Sequence, residues 1–276
     1  MAKLRYVRNM ERQKASKAGA TGMKNVVQSI RAIYETDPEI TAAVLPRPLV
    51  PTTEPRVFVQ FANVTMHMKK DKVITVGAAT VGVACTYETR PGYYVLAMPM
   101  EGEFVVIGGR EKFGEPKKIA KTEFTLGADD HVNAKVSRHG ITFLELDGRV
   151  GAPLDAKRAF VEHFFCYKAL PSIDGAGGFD GEVFLTQLNW ERNYDRIRRI
   201  DGGQIILRES MFDPLIDVPV RRIVSMEFAE GASVTSGEIL RTVPGEWLEP
   251  FLVQRYDDPT RGVDIALPTE SEPRDA

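Results

Sequence analysis

Between residues 56 and 209 the chain is cut into short segments rich in β-branched and aromatic residues, among them "RVFVQFANVTMHM", "KVITVGAATVGVACTYE", "GYYVLAMPM", "HVNAKVSRHGITFLELDGRV", "GEVFLTQLNWE" and "GGQIILRE". Gly- or Pro-containing turns separate them, and "EFVVIGG" reads as one more buried strand of the series. So many strands in succession cannot remain an open flat sheet without presenting unpaired edges. They predict a barrel or a closed, curved antiparallel sheet, in an α+β, β-dominated domain with few helices. Helical patterning is confined to "DPEITAAVL", where Asp37 stands at the N-cap position, to "KKIAKTEF", and to "SGEILRTVP", where Ser236 precedes the periodic residues.

One domain is expected over residues 25–255, because no repeat or linker-like change of composition interrupts it. Residues 1–24 carry seven Lys or Arg against Glu11 alone and read as a basic tail or surface helix, and 256–276 as an acidic, Pro-containing tail. A formal net charge of −2 gives no basic footprint for nucleic acid. The run "WERNYDRIRRIDGG" has four arginines, but its acids make it a solvated strand edge or a contact between subunits. Neither a membrane-spanning apolar run nor a signal-peptide pattern is present, so the expected location is the cytoplasm. Cys85 and Cys166 lie in apolar surroundings and read as inert core thiols.

His67, His131, His139 and His163 form no metal-ligand spacing, so no metal is expected; His163 reads as a satisfied core histidine, His67 and His139 as exposed. The glycine-rich "DGAGGFDGE" lacks the flanking strand and helix of a phosphate cradle and reads as a loop, and no cofactor motif appears. The segment that calls for chemistry is "GGREKFGEPKKIAK", residues 108–121, with Lys117 and Lys118 side by side after Pro116. Two neighbouring lysines outside the core read first as solubilising loop residues. The other reading is a nucleophilic amine. A free lysine has a pKa of about 10.4 and is almost wholly charged at neutral pH, and lowering it to near 7 takes about 4 kcal/mol of bias against the ammonium form. Burial or a second cation supplies that bias. In a regular strand Lys117 and Lys118 point to opposite faces, which leaves the work to desolvation, whereas a bend at Pro116 would bring the two amines together.

The same segment resembles the signature of the acetoacetate decarboxylase family, in which a GRE element and a PKK triplet flank the substrate pocket. "YETDPEITAAVLPRPL", "YKALPSIDG" and "DPLIDVPVRRIV" follow in the family's order, so the likeness covers roughly residues 33–250. It implies a cone or barrel in homo-oligomers, Lys117 as the Schiff-base nucleophile and Lys118 as the group that perturbs it. Acetoacetate decarboxylase is itself the standard instance of a lysine activated by its surroundings. A cofactor-free reaction on a small oxo acid is implied, in which the amine condenses with a ketone and the iminium accepts the electrons released as CO2 departs.

This chain departs from the family pattern at the polar positions. Gln60 stands where decarboxylases have a glutamate, the expected upstream arginine falls on Val27 with Arg31 nearby, and Glu88 is the nearest counterpart of a second glutamate. Glutamine holds an oxygen by hydrogen bonding but cannot shuttle a proton. Gln60, Glu88 and Arg31 are therefore the candidate substrate-binding residues, and Arg110 with Glu111 a structural ion pair. Phe113, Tyr93 and Phe61 are candidates for limiting substrate length. Three readings stand: a decarboxylase of β-keto acids, an aldolase or dehydratase of 2-oxo acids using the same lysine, and a non-catalytic barrel that binds a small molecule.

Overall fold

The computed structural model describes residues 25–67, 73–155, 157–175, 177–258 and 262–267, together with 6, 7 and 9–11. Most of the basic segment 1–24 and most of the acidic tail lie outside the described residues. Among those described, the elements run β1 (Asn25–Glu35), α1 (Pro38–Ala43), β2 (Val50–Pro51), β3 (Arg56–His67), β4 (Val73–Tyr87), β5 (Arg90–Met100), α2 (Glu103–Phe113), β6 (Lys117–Ile119), β7 (Lys121–Leu126), β8 (His131–Arg138), β9 (Ile141–Asp155), β10 (Arg158–Lys168), β11 (Val183–Leu207) and β12 (Arg222–Val243).

The sheet closes. Its order is β10-β5-β4-β3-β1-β12-β11-β9-β8-β7, and β10 also pairs with β11, so the seven strands from β10 to β11 form a ring. Pairing within it is antiparallel except between β10 and β5, and β6 adds to β5 in parallel. Closure satisfies backbone groups that an open sheet would leave at its edges. Strands β9, β8 and β7 continue from the far half of β11 as an arm, and Phe124 of β7 stacks on Phe61 of β3 with ring centroids 5.7 Å apart.

Alternation along each strand divides the side chains between two faces. Ile30, Ala32 and Tyr34 of β1, Val57, Val59 and Phe61 of β3, and Phe165 and Tyr167 of β10 join the large core that includes the β8 and β9 residues of the arm. The alternate residues face the lumen of the ring. Arg31 of β1 bonds Glu162 of β10, and Arg192 of β11 bonds Gln60 of β3, and neither pair of strands is adjacent in the ring. Phe58, Val95, Met98, Phe164, Cys166 and Leu188 form an apolar cluster on this inner face, and both thiols of the chain are buried and unpaired.

Three segments differ from their sequence reading. "EFVVIGG" is not a strand but the start of α2, which turns Val106 and Gly109 inward and leaves Phe104 and Ile107 exposed. "KKIAKTEF", helical by composition, is β6 and β7, drawn into extended form by pairing with β5 and β8. "SGEILRTVP" is the end of β12, held by β11. The arginine-rich run is no edge either, because β11 is paired on both sides. Helix α1 forms where expected, with Pro38 in its first turn, but Asp37 makes no cap bond and instead takes Arg221 at 2.9 and 3.0 Å.

The end of α2 depends on Gly114, whose φ of 78° is left-handed and whose N–H returns to Arg110 O. A Cβ there would also lie 2.4 Å from Tyr167 O. Gly114→Ala is therefore expected to cost about 1–3 kcal/mol, measured as a lowered urea midpoint with an unchanged slope.

Candidate active site

Strand β6 pairs Met98 with Lys117, so the Lys117 side chain shares the inner face with the Met98, Phe58 and Phe164 cluster. Its side chain is 13% exposed, and Nζ lies 2.7 Å from Oε2 of Glu115, itself buried. Among the described residues Glu115 is the acid paired with this amine. Sequence reading passed over Glu115, although its place in "GEPKK" was a signal: a carboxylate two residues before a lysine in extended chain points to the same side.

Alternation sends Lys118 elsewhere. Its Nζ donates to Phe212 O at 2.9 Å and to Tyr256 O at 3.1 Å, and lies 3.1 Å from Asp257 and 3.5 Å from Asp213. Burial pushes the Lys118 ammonium below its ordinary value, Asp213 and Asp257 oppose that, and Arg138 adds to the lowering. Lys118 is thus not placed to repel the Lys117 amine directly, and the bend that would have joined the two amines is absent. It works as a fastening instead. Tyr256 and Asp257, assigned from sequence to the tail, grip the strand that carries Lys117, and hydrogen bonds from Arg138, His139 and Lys118 hold the Asp257 carboxyl well below the usual carboxylate range.

Arg110 completes this clasp. Rather than pairing with Glu111, it donates to Lys117 O and to Arg255 O, each at 2.9 Å. Arg255, buried to 7% exposure, donates in turn to Gly114 O. The backbone on both sides of Glu115 and Lys117 is therefore held by guanidinium groups.

Further along the lumen sits a charged network. Glu162 accepts from Arg31 and, at 3.0 Å, from Arg192 Nε. Arg192 also reaches Gln60 Oε1 at 2.8 Å and Ser233 Oγ at 3.1 Å. Glu227 accepts from Arg31 at 3.0 Å and from Arg158. Burial weakens the charged form of Arg31, but Glu162, Tyr194, Glu227 and Tyr93 together outweigh it and raise its pKa. Arg31 also lies 5.1–5.6 Å from the centres of the Phe160, Tyr194 and Phe58 rings, a cation–π cage. An open cavity of about 290 Å³ borders the network, lined by Arg31, Phe58, Tyr93, Arg158, Phe160 and Glu162 among others. Lys117 is not in its lining; Phe58 belongs to both the cavity wall and the apolar cluster beside Lys117.

Of the candidate binding residues, Arg31 and Gln60 come together as register partners on β1 and β3. Val27, four residues before Arg31, packs with Tyr194 and Ala229 and so leaves that position apolar. Glu88 does not join them: it occupies the exposed β4–β5 turn with φ 53°. The β4 residue opposite Gln60 is buried Thr80, hidden in sequence by the uniformly small, apolar run around it. Tyr93 lines the cavity, Phe113 packs at the apolar cluster and Phe61 belongs to the outer core. His163 is satisfied by Asn189 at 2.8 Å. Among the described residues no group of three His, Cys, Asp or Glu is arranged for a metal ion, and no helix is long and apolar enough to cross a membrane.

Residues 10–243 match the family model described as acetoacetate decarboxylase. An acetoacetate decarboxylase of Burkholderia cenocepacia is 31% identical over 150 residues, which is 51% of this chain and 57% of the relative, so the alignment spans little more than half of that protein. Among solved structures, the acetoacetate decarboxylase of Legionella pneumophila superposes with a TM-score of 0.68 at 18% identity, covering 87% of this chain and 99% of that one. The enduracididine biosynthesis enzyme MppR, solved with the condensation product of pyruvate and imidazole 4-carboxaldehyde, gives 0.67 at 14% identity, covering 80% and 89%. At these identities the structures establish a shared fold.

Removing Glu162 would strand Arg31 and Arg192 in the lumen without their common acceptor. Glu162→Ala is expected to destabilise the protein by about 3–5 kcal/mol, read from chemical denaturation, and a loss below 1 kcal/mol would mean that water already shields these guanidinium groups.

Proposed function

Since the chain belongs to the acetoacetate decarboxylase family, we propose that it is a lyase that forms an iminium between Lys117 and an oxo acid and releases CO2. The carrying observation is the Lys117 amine, largely withdrawn from water on an apolar face, with one carboxylate beside it. In this reading the amine adds to the ketone carbon, water leaves, and the iminium takes the electron pair of the breaking C–C bond to give an enamine and CO2. Water then supplies the proton at carbon, and hydrolysis frees the ketone. Apolar surroundings favour loss of CO2 because a carboxylate is poorly solvated there while its charge disperses in the step.

The charge of the lumen supports an anionic substrate. Its network holds three guanidinium groups, Arg31, Arg158 and Arg192, against two carboxylates, Glu162 and Glu227, an excess of one positive charge. A substrate carboxylate would balance it.

A second reading keeps the iminium and replaces decarboxylation by aldol addition or dehydration of a 2-oxo acid. Gln60 favours it: its Oε1 is committed to Arg192, and among the described residues its Nε2 donates to no protein acceptor, which suits holding an oxygen and not moving a proton. Cytoplasmic location and a homo-oligomeric state belong to the same proposal.

Borohydride added with acetoacetate is expected to fix a reduced adduct on Lys117, found by peptide mass spectrometry, and Lys117→Arg to abolish both the adduct and CO2 release. Silence towards every β-keto acid alongside turnover of pyruvate with an aldehyde would select the second reading. No adduct with any oxo acid would leave only a binding barrel.

A further inference from the structure

Among the described residues, Glu115 is the one acid in contact with the Lys117 amine, and the fold encloses the two together. A Cβ on Gly109 of α2 would lie 2.1 Å from Glu115 Oε2 and 2.6 Å from both Cδ and Nζ of Lys117. The helix backbone therefore rests directly on the carboxylate and the amine, and glycine at 109 is what makes room for the pair. Cys166 belongs to the inner apolar cluster, and burial pushes its thiol up, with Glu115 adding to the rise and Arg255 and Lys117 opposing it. Arg110 and Arg255 hold the backbone at either end, through Lys117 O and Gly114 O. Glu115 Oε2 is buried and receives no well-angled hydrogen bond, from Lys117 or from any other described group. The amine stands 2.7 Å from that oxygen.

We propose that Glu115 is a catalytic residue, the proton carrier for formation and hydrolysis of the Lys117 iminium. The inference rests on Lys117 being the nucleophile. An ammonium has no lone pair, so the amine must lose a proton before it attacks, and a buried carboxylate at hydrogen-bond distance takes it without creating net charge. The amine then bonds the carbonyl carbon while the carbonyl π pair moves to oxygen. Of the three protons on the original ammonium, one stays on nitrogen and two leave with that oxygen as water. Glu115 passes them in turn, ends as the carboxylate beside the iminium, and assists hydrolysis by the reverse steps. Gln60 cannot take this part, since an amide is neither an effective acid nor an effective base near neutral pH. The proton that decarboxylation consumes at carbon comes from water.

Borohydride capture of acetoacetate on the intact protein separates this role from a structural one. With Glu115→Gln, capture on Lys117 at pH 7 is expected to slow by about 100-fold or more and to recover as the pH approaches 10, where solvent base removes the proton directly. The other ionisable groups around the pair are Cys166, Arg110, Arg255 and Tyr94; burial pushes the Cys166 and Tyr94 groups up, so both stay neutral over that range. A purely structural loss would not recover with pH. Glu115→Ala provides a second arm, in which added formate is expected to restore capture by occupying the vacated space. Wild-type capture rates and pH dependence in Glu115→Gln, or a folded Glu115→Ala indifferent to formate, would overturn the proposal while leaving Lys117 as the nucleophile. If the wild-type protein gives no adduct on Lys117 at all, the underlying reading fails and the proposal with it.

Discussion

Closing a sheet into a ring forces a decision about what fills the inside, and here part of the filling is charge. Seven strands enclose a lumen in which Arg31, Arg192 and Arg158 meet Glu162 and Glu227, with Gln60 and Ser233 taking further guanidinium donors. A buried network of this kind contributes little net stability over hydrocarbon of the same volume, and fails badly if one member is lost. Its pairing has to be nearly complete for the barrel to exist. What it provides is an organised electrostatic surface inside a low-dielectric enclosure, where a small excess of positive charge acts far more strongly than it would in water.

Lys117 is set apart from that network by Phe58 and its apolar neighbours, and the separation has a chemical logic. In the proposed reaction the arginines would hold the anionic end of a substrate, while the amine stands where water is scarce and, among the described residues, a single carboxylate is within reach. One wall of the barrel would then serve recognition and the adjoining wall nucleophilic attack. The same alternation that puts Lys117 on the inner face turns Lys118 outward, so two residues adjacent in sequence serve unrelated ends.

Much of the architecture was legible because strands advertise themselves by β-branched and aromatic runs, and because so many of them require closure. The failures have specific causes. "EFVVIGG" is apolar enough for a strand, but Gly102 and Gly114 delimit it as a helix packed over β10 and β11, a tertiary fact. "KKIAKTEF" carries helix-forming residues that pairing with β5 and β8 overrides. At the site, the lysines were visible as a motif and Arg31 and Gln60 as departures from a family pattern. Thr80 was invisible because only strand register places it opposite Gln60, whereas the spacing of Glu115 and Lys117 was visible and only its burial, set by the close approach of Gly109 from α2, was not.

The clasp on strand β6 also bears on how the molecule comes into being. Lys118 is fastened to Tyr256 O, 138 residues downstream, and Arg110 to Arg255 O, 145 residues downstream. At about 5–20 residues per second, a ribosome needs roughly 7–28 s to add that much chain. Until then the strand bearing Lys117 has no anchor on that side, and β1 is itself waiting for β12 to arrive. Fastening of β6 therefore waits on the synthesis of residues 255 and 256, and a nascent chain shorter than that holds the strand unclasped.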